Sequence, residues 1–282
     1  MKKILIILSH PADESFIAGG TIAKYAKDGW RILLVCATNG EKGFSETQFL
    51  SENKTGSTDG QTEVERAAAI LGIERVRFLG LKYNALSNLT PGTFEDPLFE
   101  TMLEYLPDIV ITFDTTGFNN DPDHVKTCYS TTYAFQKYAE YIDELKKPEL
   151  LMKGRGKEWK KEAFMRAFSE VDTLSSEPKL YYCCMPGHII GFLRQEKQIS
   201  ADSFGKPWKG TADKHITTVI DIGEDKLAKG KALLCYQTQT DNVETYISYP
   251  KNPFVHQEYY MLRMQGVNEV FMGKTDRVAD AL

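Results

Sequence analysis

The chain has 282 residues and a formal net charge of −5, with 34 lysines and arginines against 39 acids. That balance excludes the basic stripe of a nucleic-acid binder, and 42% apolar with 26% charged residues excludes a disordered chain. Five cysteines without regular spacing argue against a disulfide framework and for a reducing, cytoplasmic setting.

The longest apolar run, residues 4–8, is too short to span a bilayer. Lys2 and Lys3 precede it as in a signal peptide, but a polar stretch from His10 cuts it off. Unbroken apolar character predicts that 4–8 is a central parallel strand buried on both faces. A helix is expected over 15–28, stopped by Gly29, and a second buried strand over 32–37. Residues 51–61 read as a polar surface loop. Thr62 and Glu65 have the spacing of a capping box, and Val64, Ala67, Ala68 and Leu71 give one apolar helix face that ends at Gly72. Strands over 76–79 and 109–113 flank a helix over 94–105. This alternation predicts an α/β fold, a Rossmann-like, mostly parallel sheet of right-handed βαβ units with helices on both faces.

Residues 146–166 carry eight basic side chains together with Trp159, Phe164 and Met165. They read as a solvated amphipathic helix or lid, or as a basic rim for an anionic substrate. Strands follow over 181–185 and 217–222, with a helix over 224–236. Tyr259, Tyr260, Met261 and Phe271 mark the tail as packed. No linker stands out. The chain reads as one domain, 1–282, with an inserted segment over 141–170 and a C-terminal packing arm over 242–282.

Two clusters of metal-capable side chains fall at strand ends, where open α/β sheets bind ligands. The first is His10-Pro11-Ala12-Asp13-Glu14, and the second is Asp121-Pro122-Asp123-His124. Pro11 fixes φ between His10 and Asp13, so an imidazole and a carboxylate can converge on one ion. His124 would supply a third donor, and three N/O donors plus water is the composition of a catalytic zinc site. The structural alternative is that these residues cap helices, Asp13 being a good N-cap. Cys183, Cys184 and His188 could also bind metal but fit a buried aromatic strand. His215 and His256 have no partner at ligand spacing. Gly19-Gly20 follows a strand as in a dinucleotide loop, yet no G-x-G-x-x-G, P-loop or G-x-S-x-G is present.

The chain resembles the PIG-L/LmbE-like family of zinc-dependent N-deacetylases. That family opens with a strand, H-P-D-D-E and two glycines, and continues with T-x-G-E, matched here by Thr38-Asn39-Gly40-Glu41. An E-x-x-x-A-A-x-x-L-G helix is matched over 63–72, and P-D-x-V followed by H-P-D-H by Pro107-Asp108-Ile109-Val110 and 121–124. Pro178-Lys179-Leu180-Tyr181-Tyr182, residues 217–221 and Tyr236-Gln237-Thr238-Gln239 extend the likeness over nearly the whole chain. The resemblance implies an LmbE-like fold and a Zn2+ site made of His10, Asp13 and His124. It also implies removal of an acetyl group from an N-acetylglucosamine-type small molecule. Bound zinc would acidify its water and polarise the acetamide carbonyl, with Asp114 and Asp123 orienting the ligands from a second layer.

Two departures bear on catalysis. The family's general base is an aspartate at the position of Ala12, and a methyl group accepts no proton. The family's histidine at position 121 is Asp121 here, and an ionised aspartate would repel an oxyanion. Ala12 leaves three accounts open: an engineered substitution, natural loss of activity, or a base moved to Asp121. Two positions that shape substrate binding also differ, an arginine replaced within Gly60-Gln61-Thr62 and an aspartate absent near Tyr83. The alternative to an N-deacetylase is therefore a metal- and sugar-binding pseudoenzyme of the same fold. The expected partner is an N-acetylated amino-sugar conjugate, with no nucleic acid and no membrane span; whether the chain is a homo-oligomer stays open.

Overall fold

A computed structural model describes residues 1–39, 59–146, 174, 176–237, 253–270 and 279–282. Of the surface loop expected over 51–61, residues 51–58 lie outside the described residues and 59–61 are helical instead; of the basic segment 146–166, all but Lys146 lies outside them. Five strands form a parallel sheet in the order β3 (Arg75–Leu81), β2 (Arg31–Thr38), β1 (Lys3–Leu8), β4 (Ile109–Phe113) and β5 (Lys179–Cys183). All of β4, and β1 and β2 beyond their first residues, is buried, as unbroken apolar runs require of strands covered on both faces. β5 begins two residues earlier than its apolar run suggests, because Lys179 pairs with Ile109 at the start of β4.

Two groups of helices flank the sheet. α2 (Gly19–Lys27), α3 (Asp59–Leu71) and α8 (Lys226–Leu233) pack on one another, and α4 (Glu95–Tyr105) packs on α6 (Pro122–Leu145). The helix expected over 15–28 is two, α1 (Asp13–Ile17) and α2, broken at Ala18 with φ −140°. The break lets the first amides of α2 point elsewhere: Gly20 and Thr21 donate to Glu258 at 2.9 and 2.8 Å. α3 starts at Asp59, so Thr62 lies inside the helix and its capping box is not formed. α6, at 24 residues the longest described helix, has no counterpart in the apolar pattern, because its buried face includes Thr127, Ser130 and Thr131.

The tail does more than pack. β9 (Gln257–Gln265) enters the sheet antiparallel to β5, and its outer edge carries β8 (Thr218–Asp221) and β10 (Asn268–Glu269). Between β5 and β8 lie α7 (Gly187–Gln195) and a small hairpin of β6 (Asp202–Ser203) and β7 (Lys206–Pro207). A second apolar cluster joins Met185, Ile189 and Ile190 to Phe254 and Tyr259, with Phe118 and Trp208 at its margin. No described helix is long and apolar enough to cross a membrane.

Candidate metal centre

β1 and β4 are the neighbours at which the strand order 3-2-1-4-5 reverses, and the crevice beyond their carboxyl ends is where such sheets bind ligands. His10 follows β1 by two residues. The chain leaving β4 passes through a one-turn helix, α5 (Gly117–Asn120), into α6, whose first turn holds Asp123 and His124. Ser9 Oγ and Thr127 Oγ1, 2.7 Å apart, tie the two strand exits together.

His124 Nε2 lies 3.3 Å from His10 Nδ1 and 3.5 Å from Asp13 Oδ2, and His10 Nδ1 lies 3.8 Å from the same oxygen. Donors at 2.0–2.1 Å from a tetrahedral zinc sit about 3.3 Å apart, so these three atoms match one face of such a shell. Asp121 is the fourth group present: His10, Asp121 and His124 offer donor atoms within 4.8 Å of one another, with Asp121 Oδ2 at 3.9 Å from His124 Nε2. Its other oxygen, Oδ1, accepts the amide of Asp123 at 2.8 Å as the N-cap of α6, ahead of Pro122 at the first helical position. Asp13 is not a cap. It is the first residue of α1 and turns back to accept the His10 amide at 2.7 Å.

Each imidazole has its remote nitrogen engaged. His10 Nε2 lies 3.1 Å from Asp123 Oδ2 and His124 Nδ1 lies 3.1 Å from the Gly117 carbonyl oxygen, an acceptor that can only take an N–H. Protons on these two nitrogens leave lone pairs on His10 Nδ1 and His124 Nε2, the two atoms that face each other. Fixing the tautomer from behind is how proteins orient metal-binding histidines. Asp123 also accepts the amides of Asn84 and Leu86 at 2.7 and 3.1 Å, so one carboxylate holds both His10 and the loop after β3. Asp114 touches neither histidine through a described hydrogen bond. It accepts the amides of Thr116 and Phe118 and the Thr211 hydroxyl, and so shapes the turn that presents Gly117.

Burial pushes the Asp13 carboxyl up, but the neighbouring His124 and His10 outweigh it and hold the group below its ordinary value. Burial likewise pushes His124 down, and Asp13 with Asp121 reverses this into a net rise. Both shifts report one electrostatic complementarity: an imidazole pair in a pocket of carboxylates. Glu14 is fully buried, which raises its carboxyl to about 6, and it accepts the hydroxyls of Ser15 and Tyr236. The late Tyr236 motif therefore meets the first motif in space.

The structure also explains residues that the motifs did not reveal. Phe113 stacks on His124 at 4.0 Å between ring centroids and 7° between planes, and Tyr83 lies over His10 at 4.6 Å. Gly117 has φ +65°, and a Cβ there would meet Val125 N at 2.8 Å and His124 Cβ at 2.9 Å, so only glycine allows the turn to pass this close. The Gly20 and Thr21 amides, which a phosphate would take in a dinucleotide loop, are occupied by Glu258, so this is not such a loop. Cys183 and Cys184 are buried in and beside β5, as an aromatic core strand predicts.

These features define an open α/β protein with a buried His–Asp cluster, able to hold a metal ion, at the switch point of its sheet. Residues 5–135, a little under half of the chain, match the PIG-L family, described as GlcNAc-PI de-N-acetylase. A 1D-myo-inositol 2-acetamido-2-deoxy-α-D-glucopyranoside deacetylase of Thermobifida fusca is 32% identical over 49% of this chain and 56% of its own length. The chain thus aligns with little more than half of that relative. A protein of the same name from Thermomonospora curvata is 29% identical over 84% of this chain and 80% of its own. Among solved structures, N,N'-diacetylchitobiose deacetylase from Pyrococcus horikoshii superposes with a TM-score of 0.58 at 17% identity, covering 98% of this chain and 88% of its own. GalB, the 4-carboxy-2-hydroxymuconate hydratase of Pseudomonas putida, gives 0.59 at 18%, covering 96% and 100%. A deacetylase and a hydratase share this fold, so the chemistry has to be argued from the site.

Proposed function

We propose that the chain is a zinc-dependent N-deacetylase, hydrolysing an N-acetylglucosamine-type conjugate to acetate and the free amine. The observation that carries this reading is the pair of fixed tautomers, which aims His10 Nδ1 and His124 Nε2 at each other beside Asp13 Oδ2. His10, Asp13 and His124 would hold the ion, with Asp123 and the Gly117 carbonyl orienting the two rings. When bound, zinc supplies Lewis acidity towards the acetamide carbonyl and lowers the pKa of water. Ala12 is buried and has no group to take a proton. Asp121 keeps Oδ1 on the Asp123 amide and turns Oδ2 to the histidines, which supports Oδ2 as the group that would accept a proton from water during hydrolysis. The relatives' printed substrate supports a sugar–inositol conjugate as the class of small molecule. The five cysteines, all free, support a cytoplasmic setting.

Ala12 favours a second reading, a metal- and sugar-binding pseudoenzyme. Zinc titration of the purified chain, followed by acetate release from an N-acetylglucosaminyl inositol, separates the two. Deacetylase function predicts about one zinc per chain and release that a chelator abolishes. Stoichiometric zinc with no release selects the pseudoenzyme, and absence of zinc binding rejects both.

A further inference from the structure

The turn that presents Gly117 to His124 is strained. Phe118 has φ 66° and ψ −47°, a backbone that a bulky side chain seldom adopts, and Asn120 follows at φ 68°, a left-handed position that asparagine tolerates. Such a backbone persists only where its surroundings over-determine it. Here the surroundings come from a distant part of the chain. Trp208 Nε1 donates to the Phe118 carbonyl at 2.9 Å, and Thr211 Oγ1 donates to Asp114 Oδ2 at 2.5 Å. Asn120 Nδ2 reaches Ser203 O and Lys206 O, each at 3.3 Å. Asp114 uses its other oxygen to hold the Thr116 and Phe118 amides at 3.0 Å.

We propose that segment 203–211 is a clamp whose function is to set the tautomer and direction of His124, with Trp208 and Thr211 as positioning residues acting through the Phe118 turn. The inference rests on the metal-centre reading above for its consequence, though not for its geometry. Trp208 fixes the carbonyl of the residue after Gly117, and Thr211 fixes the carboxylate that holds the same turn from the other side. Loss of either lets the Gly117 carbonyl swing away from His124 Nδ1. The ring then loses its reason to carry the proton there, and its Nε2 lone pair ceases to be reserved for a ligand. None of these clamp residues has a described hydrogen bond to the donor atoms themselves.

The test uses the full chain and two readouts. Thr211→Val removes the hydroxyl at constant shape, Thr211→Ser restores it, and Trp208→Phe removes the indole N–H while keeping a ring in the second apolar cluster. Zinc affinity by chelator competition should weaken about 10–100-fold in Thr211→Val and in Trp208→Phe, and return close to the parent in Thr211→Ser. In the metal-free protein, histidine ring nitrogen spectra should show His124 as the Nδ1–H tautomer in the parent and Thr211→Ser, and as a mixture in the other two. Parent-like zinc affinity and an unchanged His124 spectrum in Thr211→Val and Trp208→Phe would overturn the clamp. A parent that binds no zinc would reject the metal reading, while the tautomer comparison would still decide the clamp.

Discussion

Ala12 adopts φ 86° and ψ −23°, a left-handed conformation that costs alanine roughly 1–2 kcal/mol and that aspartate and asparagine tolerate better. Ala12→Asp eases that backbone but adds a buried carboxylate beside Asp13, so the metal-free variant is expected to unfold at a lower temperature than the parent, which thermal unfolding checks. The ligand assignment is testable at the same scale. His10→Ala, Asp13→Ala or His124→Ala should remove most bound zinc, whereas Asp123→Asn should weaken it by about 10–100-fold, because it alters the support of His10 and of the loop after β3 but removes no candidate ligand. Stoichiometric zinc in His124→Ala, measured by elemental analysis, would contradict the assignment. These residues were legible in the sequence because each sits within four residues of Pro11 or Pro122, beside an apolar run that marks a strand end. Gly117, Tyr83 and Phe113 were not, since their roles depend on which rings they meet after folding.

At the scale of elements, two ionic contacts, one fully and one partly buried, tie helices to their neighbours. Glu258 in β9 accepts the Gly20 and Thr21 amides at the start of α2 and pairs with Lys229 of α8 at 2.7 Å, both side chains being almost fully buried. Breaking such a pair from one side typically costs about 3–5 kcal/mol, so Glu258→Gln should lower stability by an amount in that range in denaturant titration. Gly20 belongs to the same joint: a Cβ there would lie 2.5 Å from Ile222, and Gly20→Ala should cost about 1–3 kcal/mol through overpacking. Between α4 and α6, Glu95 accepts Lys126 Nζ and Ser130 Oγ, each at 2.6 Å, and the Gly92 amide at 2.9 Å. Burial opposes its ionisation, but these donors outweigh it and bring the carboxyl to about 2. A depressed carboxyl contributes stability above its ordinary value near 4.5 and loses that contribution as pH falls towards 2. Glu95→Gln should therefore unfold at a lower temperature than the parent at neutral pH, with the gap closing between pH 4.5 and 2. A gap independent of pH would contradict it.

Across the whole molecule, the parallel half could be read from residues 4–8, 32–37 and 109–113 because strands buried on both faces are apolar throughout. The antiparallel half could not. β9 contains Gln257, Glu258, Arg263 and Gln265, and Glu258 is buried only because Lys229 and two helix amides arrive from elsewhere. α6 hides its helical period behind buried threonines that bond to neighbours, such as Thr127 to Ser9. The proposed metal centre joins the two halves: its candidate ligands come from the turn after β1, the start of α1 and the first turn of α6, while the turn behind His124 is held by residues beyond β5. The claim on which this account rests is that Asp121 performs the base's work in place of residue 12. Acetate release measured side by side for zinc-loaded parent, Asp121→Asn and Ala12→Asp tests it most directly. The account predicts turnover by the parent, a loss of about 10²–10⁴-fold in Asp121→Asn at unchanged zinc content, and little gain in Ala12→Asp. A parent without turnover, made active by Ala12→Asp and indifferent to Asp121→Asn, would contradict it.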